Sequence, residues 1–410
     1  MRNTLNPEAR LKLKRSKIFL RLLPVTGFRY AYRSISHELG PCESDEKHLH
    51  EAMRWLCRAE DVTKGKGVSK QYRIFEGWDP NPYPETTGYI LETFLRYWKV
   101  TGDREYLDRA MRMGLWEIDC QHPSGGIASS IAEPEILRGF NTGQVIHGWC
   151  SLAVDTRSDI YLAAAIRAAD YLLGIQAPDG AWEKDSYCGG RTYDSRVAWA
   201  LLRLAQLTKT KKYAESAHKN LSWVLDQQQN NGWWRQCGFF ARDPITHLIA
   251  YTMEGLLESH LLLKEDSELA AGFSADKVEK LAKSVFLAAD ALCTQITKNP
   301  ALGIRGLPHG SYGMDWTSQD DHSCLTGNAQ IAIVLYRIDQ KFGRTAYREV
   351  ADTIVETSKR MQDISSGRSG IRGGIAGPFP IYKGYDPYHF LNWATKFFAD
   401  MLLVRQEKST

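Results

Sequence analysis

The sequence predicts an all-α fold, an (α/α)6 toroid in which six helical hairpins form a closed ring. The first observation is a repeat: six times, a turn rich in glycine, aromatic and charged residues leads directly into an apolar helix. Gly88, Gly143, Arg196 and Ile249 occupy comparable places in successive copies, so the steps are 55, 53 and 53 residues. A fixed period of this length indicates repeated units that cannot bury their apolar faces alone.

The second observation is that two kinds of helix alternate. The helices that follow the turns are apolar nearly all round, which predicts a buried inner layer. They begin near Tyr83, Phe140, Tyr193, His247, Cys324 and His389. The segments between them carry apolar residues at three- and four-residue spacing with charged residues opposite, which predicts an outer layer. These outer segments are 104–120, 160–176, 211–227, 277–293 and 346–361.

The third observation concerns the chain ends. Segment 47–62 has the outer pattern with no inner helix before it, and segment 389–405 has the inner pattern with no outer helix after it. Pairing the two closes a ring of six hairpins. We therefore expect a basic amphipathic arm over residues 1–43 and a toroid domain over residues 44–410. The chain has no sustained period-two alternation of the kind that would predict a sheet domain.

The first 37 residues differ from the rest of the chain in charge. They contain nine Lys and Arg residues against one acid, whereas the whole chain has a net charge of +4. A basic amphipathic segment of this kind can lie on an anionic membrane surface, and a solvated arm over the outer ring is the alternative. The body of the chain is slightly acidic and has no nucleic-acid motif, which argues against a nucleic-acid partner.

Cysteine usage favours a cytoplasmic protein, with peripheral association at the inner face of the membrane as the open alternative. The eight cysteines are scattered and form no CxxC pair, so we expect free thiols rather than a disulfide framework. The segment 320–324 (DDHSC) offers metal-ligand side chains, but its residues equally suit the start of a helix. We therefore predict neither a metal site nor a cofactor.

The long loops that lead from outer to inner helices predict the working face of the ring, because the loops at the other end, such as 100–103 and 207–212, are short and plain. Aromatic rings can stack on sugar rings, while charged and amide groups bind hydroxyls and carboxylates. The predicted binding residues are Trp78, Tyr83, Asn141, His147, Tyr193, Trp233, Arg235, His247, Arg305, Trp316, Asp320, Asp321 and Tyr385. Trp182 and Trp234 recur at a fixed offset after glycine, which favours a packing role for them.

The Q-x-x-D-G-x-W turn at 176–182 and the Thr-Gly pairs that open inner helices resemble the α/α-toroid group. That group includes terpene cyclases, lanthionine cyclases, glycoside hydrolases, polysaccharide lyases and uronate epimerases. The chain most resembles uncharacterised toroid proteins of bacterial surface-polysaccharide biosynthesis. It has only SQDD at 318–321 where a triterpene cyclase would have D-x-D-D, and it lacks the zinc ligands of a lanthionine cyclase. The resemblance therefore implies a polysaccharide or oligosaccharide substrate.

These residues are compatible with three functions. Proton abstraction at C5 of a uronate, by a lyase or an epimerase, needs Tyr or His groups and a cation, and the sequence favours it. Hydrolysis needs two carboxylates, with Glu85 as the acid and Asp315, Asp320 or Asp321 as its partner. A non-catalytic glycan-binding scaffold in polymer assembly is the third. The predicted catalytic residues are Glu85, His309, Tyr312, Asp315, His322, Tyr388 and His389.

Overall fold

The computed structural model describes Ser34, residues 36–240 and residues 242–407. In chain order the helices are α1 (Asp45–Val62), α2 (Pro84–Thr101), α3 (Arg104–Cys120), α4 (Gly139–Thr156), α5 (Asp159–Ile175), α6 (Ser195–Thr208), α7 (Lys211–Asp226), α8 (Thr246–Glu265), α9 (Ser267–Ala270), α10 (Ala275–Lys298), α11 (Leu325–Phe342), α12 (Thr345–Lys359) and α13 (Asn392–Gln406). Helix α9 is a single turn between α8 and α10.

The helices form two concentric layers, as the sequence predicts. Helices α2, α4, α6, α8, α11 and α13 form the inner layer, and each contacts the next around the ring. Helix α13 also contacts α2, and the outer helix α1 packs against α13, so the two chain ends complete the sixth hairpin. At this closure the indole Nε1 of Trp55 donates a hydrogen bond of 2.8 Å to the carbonyl oxygen of Gly370. The predicted (α/α)6 toroid is confirmed.

The Thr-Gly pairs at the starts of inner helices have two distinct roles. The hydroxyl of Thr142 accepts a hydrogen bond from the amide of Ile127 in the preceding loop and donates one to the carbonyl of Arg138. The next residue, Gly143, faces α6, where an added Cβ would lie 2.8 Å from Cγ2 of Val197. Glycine therefore permits close approach of neighbouring inner helices, while threonine attaches the loop to the helix.

Short strands lie in the long loops. They are β1 (Gln71–Arg73), β2 (Gly77–Trp78), β3 (Ala128–Ser130), β4 (Glu133–Leu137), β5 (Ser323–Cys324), β6 (Pro378–Phe379) and β7 (His389–Leu391). All pair antiparallel: β1 lies between β2 and β7, β3 pairs with β4, and β5 pairs with β6. Strands this short carry too few residues for a period-two pattern, so sequence periodicity does not reveal them. They connect the loops into one loop-rich face of the ring.

The basic segment 1–37 lies outside the described residues apart from Ser34, Ser36 and His37, so its contact with a membrane stays a prediction. Within the described part of the chain, no helix has the length and apolar character needed to cross a membrane. All eight cysteines are free thiols.

Candidate active site

A cavity of about 340 Å³ opens at the loop-rich face, where the inner helices begin. Its volume lies within the range of roughly 300–1,000 Å³ that is typical of small-ligand pockets. Its walls are mainly aromatic: Tyr83, Tyr89, Phe140, Tyr187, Tyr193, Phe239, Phe240, Tyr251, Tyr385 and Trp393. Its ionisable groups other than tyrosine are Lys70, Glu85 and His247. We call this the central cavity.

Glu85 is the carboxylate of the central cavity. It occupies the first turn of α2, directly after Pro84, where the free amide groups of a helix start favour a negative charge. The hydroxyl of Tyr83 donates a hydrogen bond of 2.9 Å to its Oε2. Burial raises the pKa of Glu85 to about 7, although the bond from Tyr83 and the charges of Lys70 and Arg196 act in the opposite direction. At neutral pH the carboxyl can therefore both donate and accept a proton.

A row of polar groups continues from Glu85 along the cavity wall. The hydroxyls of Tyr83 and Tyr187 lie 3.4 Å apart, and the Tyr187 hydroxyl donates to Oδ1 of Asn141 at 3.4 Å. The amide of Asn141 in turn donates to the carbonyl of Ala128 at 3.2 Å. Arg138 lies over the Tyr187 ring, with its guanidinium carbon 4.7 Å from the centroid. These contacts fix the orientation of the two tyrosines.

His247 lies in the first turn of α8, with its ring in the cavity wall. Burial lowers its pKa to about 4, and the charge of Asp386 only partly opposes this effect. The imidazole is therefore neutral at pH 7. Its Nδ1 lies 3.7 Å from Sγ of Cys324, and its ring centroid is 5.1 Å from that of Tyr385.

The charges of two cations, Lys70 and Arg196, act on Glu85. The Lys70 ammonium lies 5.2 Å from the Tyr83 ring centroid and 5.8 Å from that of Trp393, on the cavity wall. Arg196 is 1% exposed, pairs with Glu254 and lies 5.1 Å from the Tyr251 ring centroid. Lys70 is therefore the cation that a ligand could reach.

A second cavity of about 630 Å³, the adjoining cavity, shares Phe239, Phe240 and Tyr385 with the central one. Its charged lining residues are Arg242, Asp243, Asp320, His322 and Asp386. The hydroxyl of Ser311 donates a hydrogen bond of 2.7 Å to Oδ2 of Asp320. His322 Nε2 lies 3.8 Å from the same oxygen. The two cavities together form a path across the loop-rich face.

A third cavity, of about 460 Å³, lies at the short-loop end of the ring and is lined by charged residues of the inner helices. We call it the rear cavity. Its charges neutralise one another: Arg203 pairs with Glu92 at 2.7 Å, and Arg337 pairs with Glu258 at 2.8 Å. Arg196 lines the rear cavity and contacts Tyr251 of the central cavity, so it lies between the two.

Seven of the predicted site residues line these cavities at the loop-rich face. Glu85, Tyr83, Tyr193, His247 and Tyr385 lie in the wall of the central cavity. Asp320 and His322 lie in the wall of the adjoining cavity. Asn141 lies behind this wall, bound to Tyr187.

The loop between α10 and α11 folds many of its predicted residues onto itself. Tyr312 is 1% exposed, and its hydroxyl accepts a hydrogen bond from the amide of His309. Both ring nitrogens of His309 lie about 3 Å from backbone carbonyl oxygens, 3.1 Å to Asp320 and 3.0 Å to Asn299. Asp315 is exposed and accepts from the amide and hydroxyl of Thr317. These three side chains lie outside the central cavity.

Three tryptophans of the same face contact other parts of the protein. Trp316 is 4% exposed, and its Nε1 donates to the carbonyl of Asn231 at 2.9 Å. Trp233 Nε1 lies 3.3 Å from the carbonyl of Tyr312. Trp78 packs against Trp55 at a centroid distance of 4.8 Å. The ring of Trp316 is therefore buried against protein, whereas the rings of Trp233 and Trp78 are half-buried in these contacts.

The remaining predicted residues lie further out or deeper in. Asp321 pairs with Lys383. His389 Nδ1 lies 3.9 Å from Asp386, and the Tyr388 ring lies 5.6 Å from that of Phe75. Arg235 and Arg305 are exposed, and Arg235 donates to the carbonyl of Asp226. His147 is fully buried between the guanidinium of Arg203 and the carbonyl of Arg196.

Sequence reasoning missed several lining residues: Lys70, Tyr89, Tyr187, Tyr251, Asp386 and Trp393. For two of them, the sequence contained a spacing from which their position could have been predicted. Tyr89 follows Glu85 by four residues, and Tyr251 follows His247 by four, so each pair lies on one helix face. Among the described residues, no group of three His, Cys, Asp or Glu side chains converges in a way that could hold a metal ion.

No protein-family model matches the chain, and no curated protein sequence matches it. Several solved structures, however, are similar to it. The unsaturated glucuronyl hydrolase of Bacillus sp. GL1, responsible for glycosaminoglycan degradation, is similar over 90% of this chain and 98% of its own, at 15% identity and a TM-score of 0.65. The cellobiose 2-epimerase of Bacillus thermoamylovorans B4167 is similar over 88% and 98%, at 10% identity and a TM-score of 0.67.

A D-mannose isomerase is similar over 88% of this chain and 97% of its own, at 15% identity and a TM-score of 0.62. At sequence identities this low, the structural similarity establishes the fold but does not transfer a reaction to this chain. The chain therefore has the (α/α)6 toroid fold that these carbohydrate-active enzymes share.

Proposed function

We propose that the protein is a carbohydrate-modifying enzyme that hydrolyses a glycosidic bond, with Glu85 as its general acid. The observation that carries this proposal is the position of Glu85, whose carboxyl lies in the wall of the central cavity and accepts a hydrogen bond from Tyr83. The Glu85 pKa of about 7 leaves a large fraction of the carboxyl protonated at neutral pH, inside a cavity walled by aromatic rings. A general acid with a raised pKa beside a sugar-stacking surface is what glycoside hydrolysis requires.

In this reaction Glu85 transfers its proton to the glycosidic oxygen while the bond from that oxygen to the anomeric carbon breaks. A water molecule attacks the anomeric carbon and gives its proton to a second carboxylate. Asp386 is our candidate for that group. Tyr385 lines both cavities, so it joins the wall that contains Glu85 to the wall that contains Asp386.

The proposed substrate ends in an acidic sugar. Lys70 is positioned to bind a carboxylate in the central cavity, because its ammonium lies beside the Tyr83 and Trp393 rings on which a sugar could stack. The similar hydrolase of Bacillus sp. GL1 is named for an unsaturated glucuronyl group, which agrees with this choice. The sequence alone favours proton abstraction at C5, on a set of Tyr, His and Arg groups in the long loops. Within that set Tyr385 lines the central cavity and His322 lines the adjoining one, whereas His309 and Tyr312 lie outside the central cavity.

Epimerisation or elimination through C5 is the second candidate, and His247 supports it. A neutral imidazole in the cavity wall can accept a proton from carbon if its free nitrogen faces the substrate. The structural similarity to a cellobiose 2-epimerase and a D-mannose isomerase is compatible with proton transfer to and from a sugar. Epimerisation at C5 would leave the glycosidic bond of the substrate intact.

The two candidates are distinguished by incubating the protein with uronic acid glycosides in deuterated water. New reducing ends without deuterium at C5 are the expected result. Deuterium at C5 with intact glycosidic bonds, or new unsaturated uronates, would favour the second candidate. Saturable binding without any turnover would instead favour a glycan-binding scaffold.

A pair of variants connects the activity with Glu85. We expect Glu85→Gln to lower kcat by about a thousandfold or more while ligand binding persists, because the amide cannot donate the required proton. Glu349→Gln makes the same chemical change at an exposed site on the outer helix α12 and should keep full activity. Equal activity of the two variants would remove Glu85 from the mechanism.

A further inference from the structure

The adjoining cavity opens from the central one across a shared aromatic wall. Phe239, Phe240 and Tyr385 line both cavities. Phe240 is 72% exposed, although a large apolar ring at a surface usually gains from being covered. An exposed ring between the two cavities is a suitable platform for the apolar face of a sugar. A ligand that occupies the central cavity with its first unit would therefore place its second unit over Phe240.

The two cavities differ in charge. The central cavity presents the Lys70 ammonium next to Glu85, which is partly protonated at neutral pH. Among the residues that the structure describes, the adjoining cavity is lined by three aspartates, Asp243, Asp320 and Asp386, against the guanidinium of Arg242 and the imidazole of His322. Carboxylates accept hydrogen bonds from hydroxyl or ammonium groups and repel carboxylate or sulfate groups. The central cavity thus favours an anionic group of the ligand, and the adjoining cavity disfavours one.

We propose that the adjoining cavity is the binding site for the second sugar of the substrate, and that it selects a neutral or amino sugar against a sulfated sugar or a second uronate. Phe240 supplies the stacking surface, and Asp243 and Asp320 accept hydrogen bonds from the hydroxyl or ammonium groups of that sugar. This inference rests on the proposed function for the identity of the first unit. It narrows the substrate to oligosaccharides or polymer ends in which an acidic sugar is joined to an uncharged or basic one.

Binding to the Glu85→Gln protein tests the inference without turnover. The probes are glucuronate, β-glucuronyl-1,4-glucose, β-glucuronyl-1,4-glucosamine and a 6-sulfated form of the glucose disaccharide, each measured by calorimetry. We expect the glucosamine and glucose disaccharides to bind at least tenfold more tightly than the sulfated one, since like charges repel across a partly desolvated cavity. Equal or tighter binding of the sulfated probe, or no binding of any disaccharide, would overturn the inference.

A second variant tests the role of Phe240. In the Glu85→Gln background, Phe240→Ala should weaken both unsulfated disaccharides by about tenfold and leave glucuronate unchanged, because one stacking contact is lost. Phe75→Ala is the matched control: Phe75 is 46% exposed on the same face and lines neither cavity. Loss of glucuronate binding in Phe240→Ala would place the ring in the first site and overturn the assignment.

The outcomes separate this inference from the proposed function. If the unmodified protein hydrolyses none of the probes while the binding order is as expected, the second site stands and the hydrolase proposal falls. If it hydrolyses the sulfated disaccharide fastest, the hydrolase proposal stands and the second-site inference falls.

Discussion

The hydroxyl of Tyr83 lies 2.9 Å from Oε2 of Glu85 and donates its proton to that oxygen. The hydrogen bond stabilises the ionised carboxylate, whereas burial stabilises the protonated form, and burial prevails. Tyr83 therefore limits how far the pKa of Glu85 rises. The pair thus brings the pKa of a buried carboxylic acid close to neutral pH.

The pH dependence of activity follows from this pair. Because Glu85 must be protonated to act as an acid, we expect kcat/KM to fall as pH rises through about 7. Removing the bond in Tyr83→Phe should raise the pKa of Glu85 further and move the fall to higher pH. Tyr213→Phe is the control, since the Tyr213 hydroxyl donates to Asp170 on the outer ring. An unchanged profile in Tyr83→Phe would contradict the assignment.

The charge of Lys70 should determine the preference for acidic sugars. We expect Lys70→Met to raise KM for a glucuronide by at least tenfold, because a charge-assisted hydrogen bond contributes about 1.5–3 kcal/mol. KM for the corresponding glucoside should change little. The exposed Lys66, nearby in sequence, gives the matched control Lys66→Met. Equal effects on glucuronide and glucoside would mean that Lys70 supports the fold rather than the substrate.

The contact between Cys324 and His247 should fix the tautomer of the imidazole. Burial raises the pKa of the Cys324 thiol to about 11, although the backbone amides of Gly327, His247 and Thr326, which face its sulfur, act in the opposite direction. The thiol proton is then directed to Nδ1 of His247, and the ring proton should lie on Nε2.

Nitrogen-15 NMR of labelled histidine measures this tautomer directly. We expect the Nε2–H form in the unmodified protein and in Cys324→Ser, and a mixture of tautomers in Cys324→Ala. In the Nε2–H form the imidazole donates a hydrogen bond to the ligand and cannot accept a proton at that nitrogen. A predominant Nδ1–H form would instead support the second candidate function, with His247 as the base.

The close contact between α4 and α6 should make Gly143 intolerant of a side chain. We expect Gly143→Ala to lower the free energy of unfolding by about 1–3 kcal/mol, as overpacking of a dense core does, because its Cβ would lie 2.8 Å from Val197. Gly174→Ala is the control: it lies exposed near the end of α5, with no atom within 4 Å of an added Cβ. That change should leave stability unchanged or raise it by about 0.5 kcal/mol. Thermal or urea unfolding measures both.

The repeat makes the ring predictable from the sequence, because each hairpin carries its own apolar pattern. The predicted outer segment 104–120 coincides with α3, and segment 211–227 differs from α7 by one residue. The cavity wall was harder to predict. Tyr89 and Tyr251 lie on inner helices, where a residue that faces a cavity and one that faces a neighbouring helix look alike in the sequence. Tyr312 and Trp316 show the reverse, since such long loops bury some of their own aromatic rings.

The position of Arg196 between the central and rear cavities has a consequence for how a long polymer would be processed. Its guanidinium lines the rear cavity and lies 5.1 and 5.9 Å from the ring centroids of Tyr251 and Phe397, so it separates the two cavities. A sugar chain bound in the central cavity could not continue through the ring into the rear cavity, so all of its units would have to enter and leave by the loop-rich face.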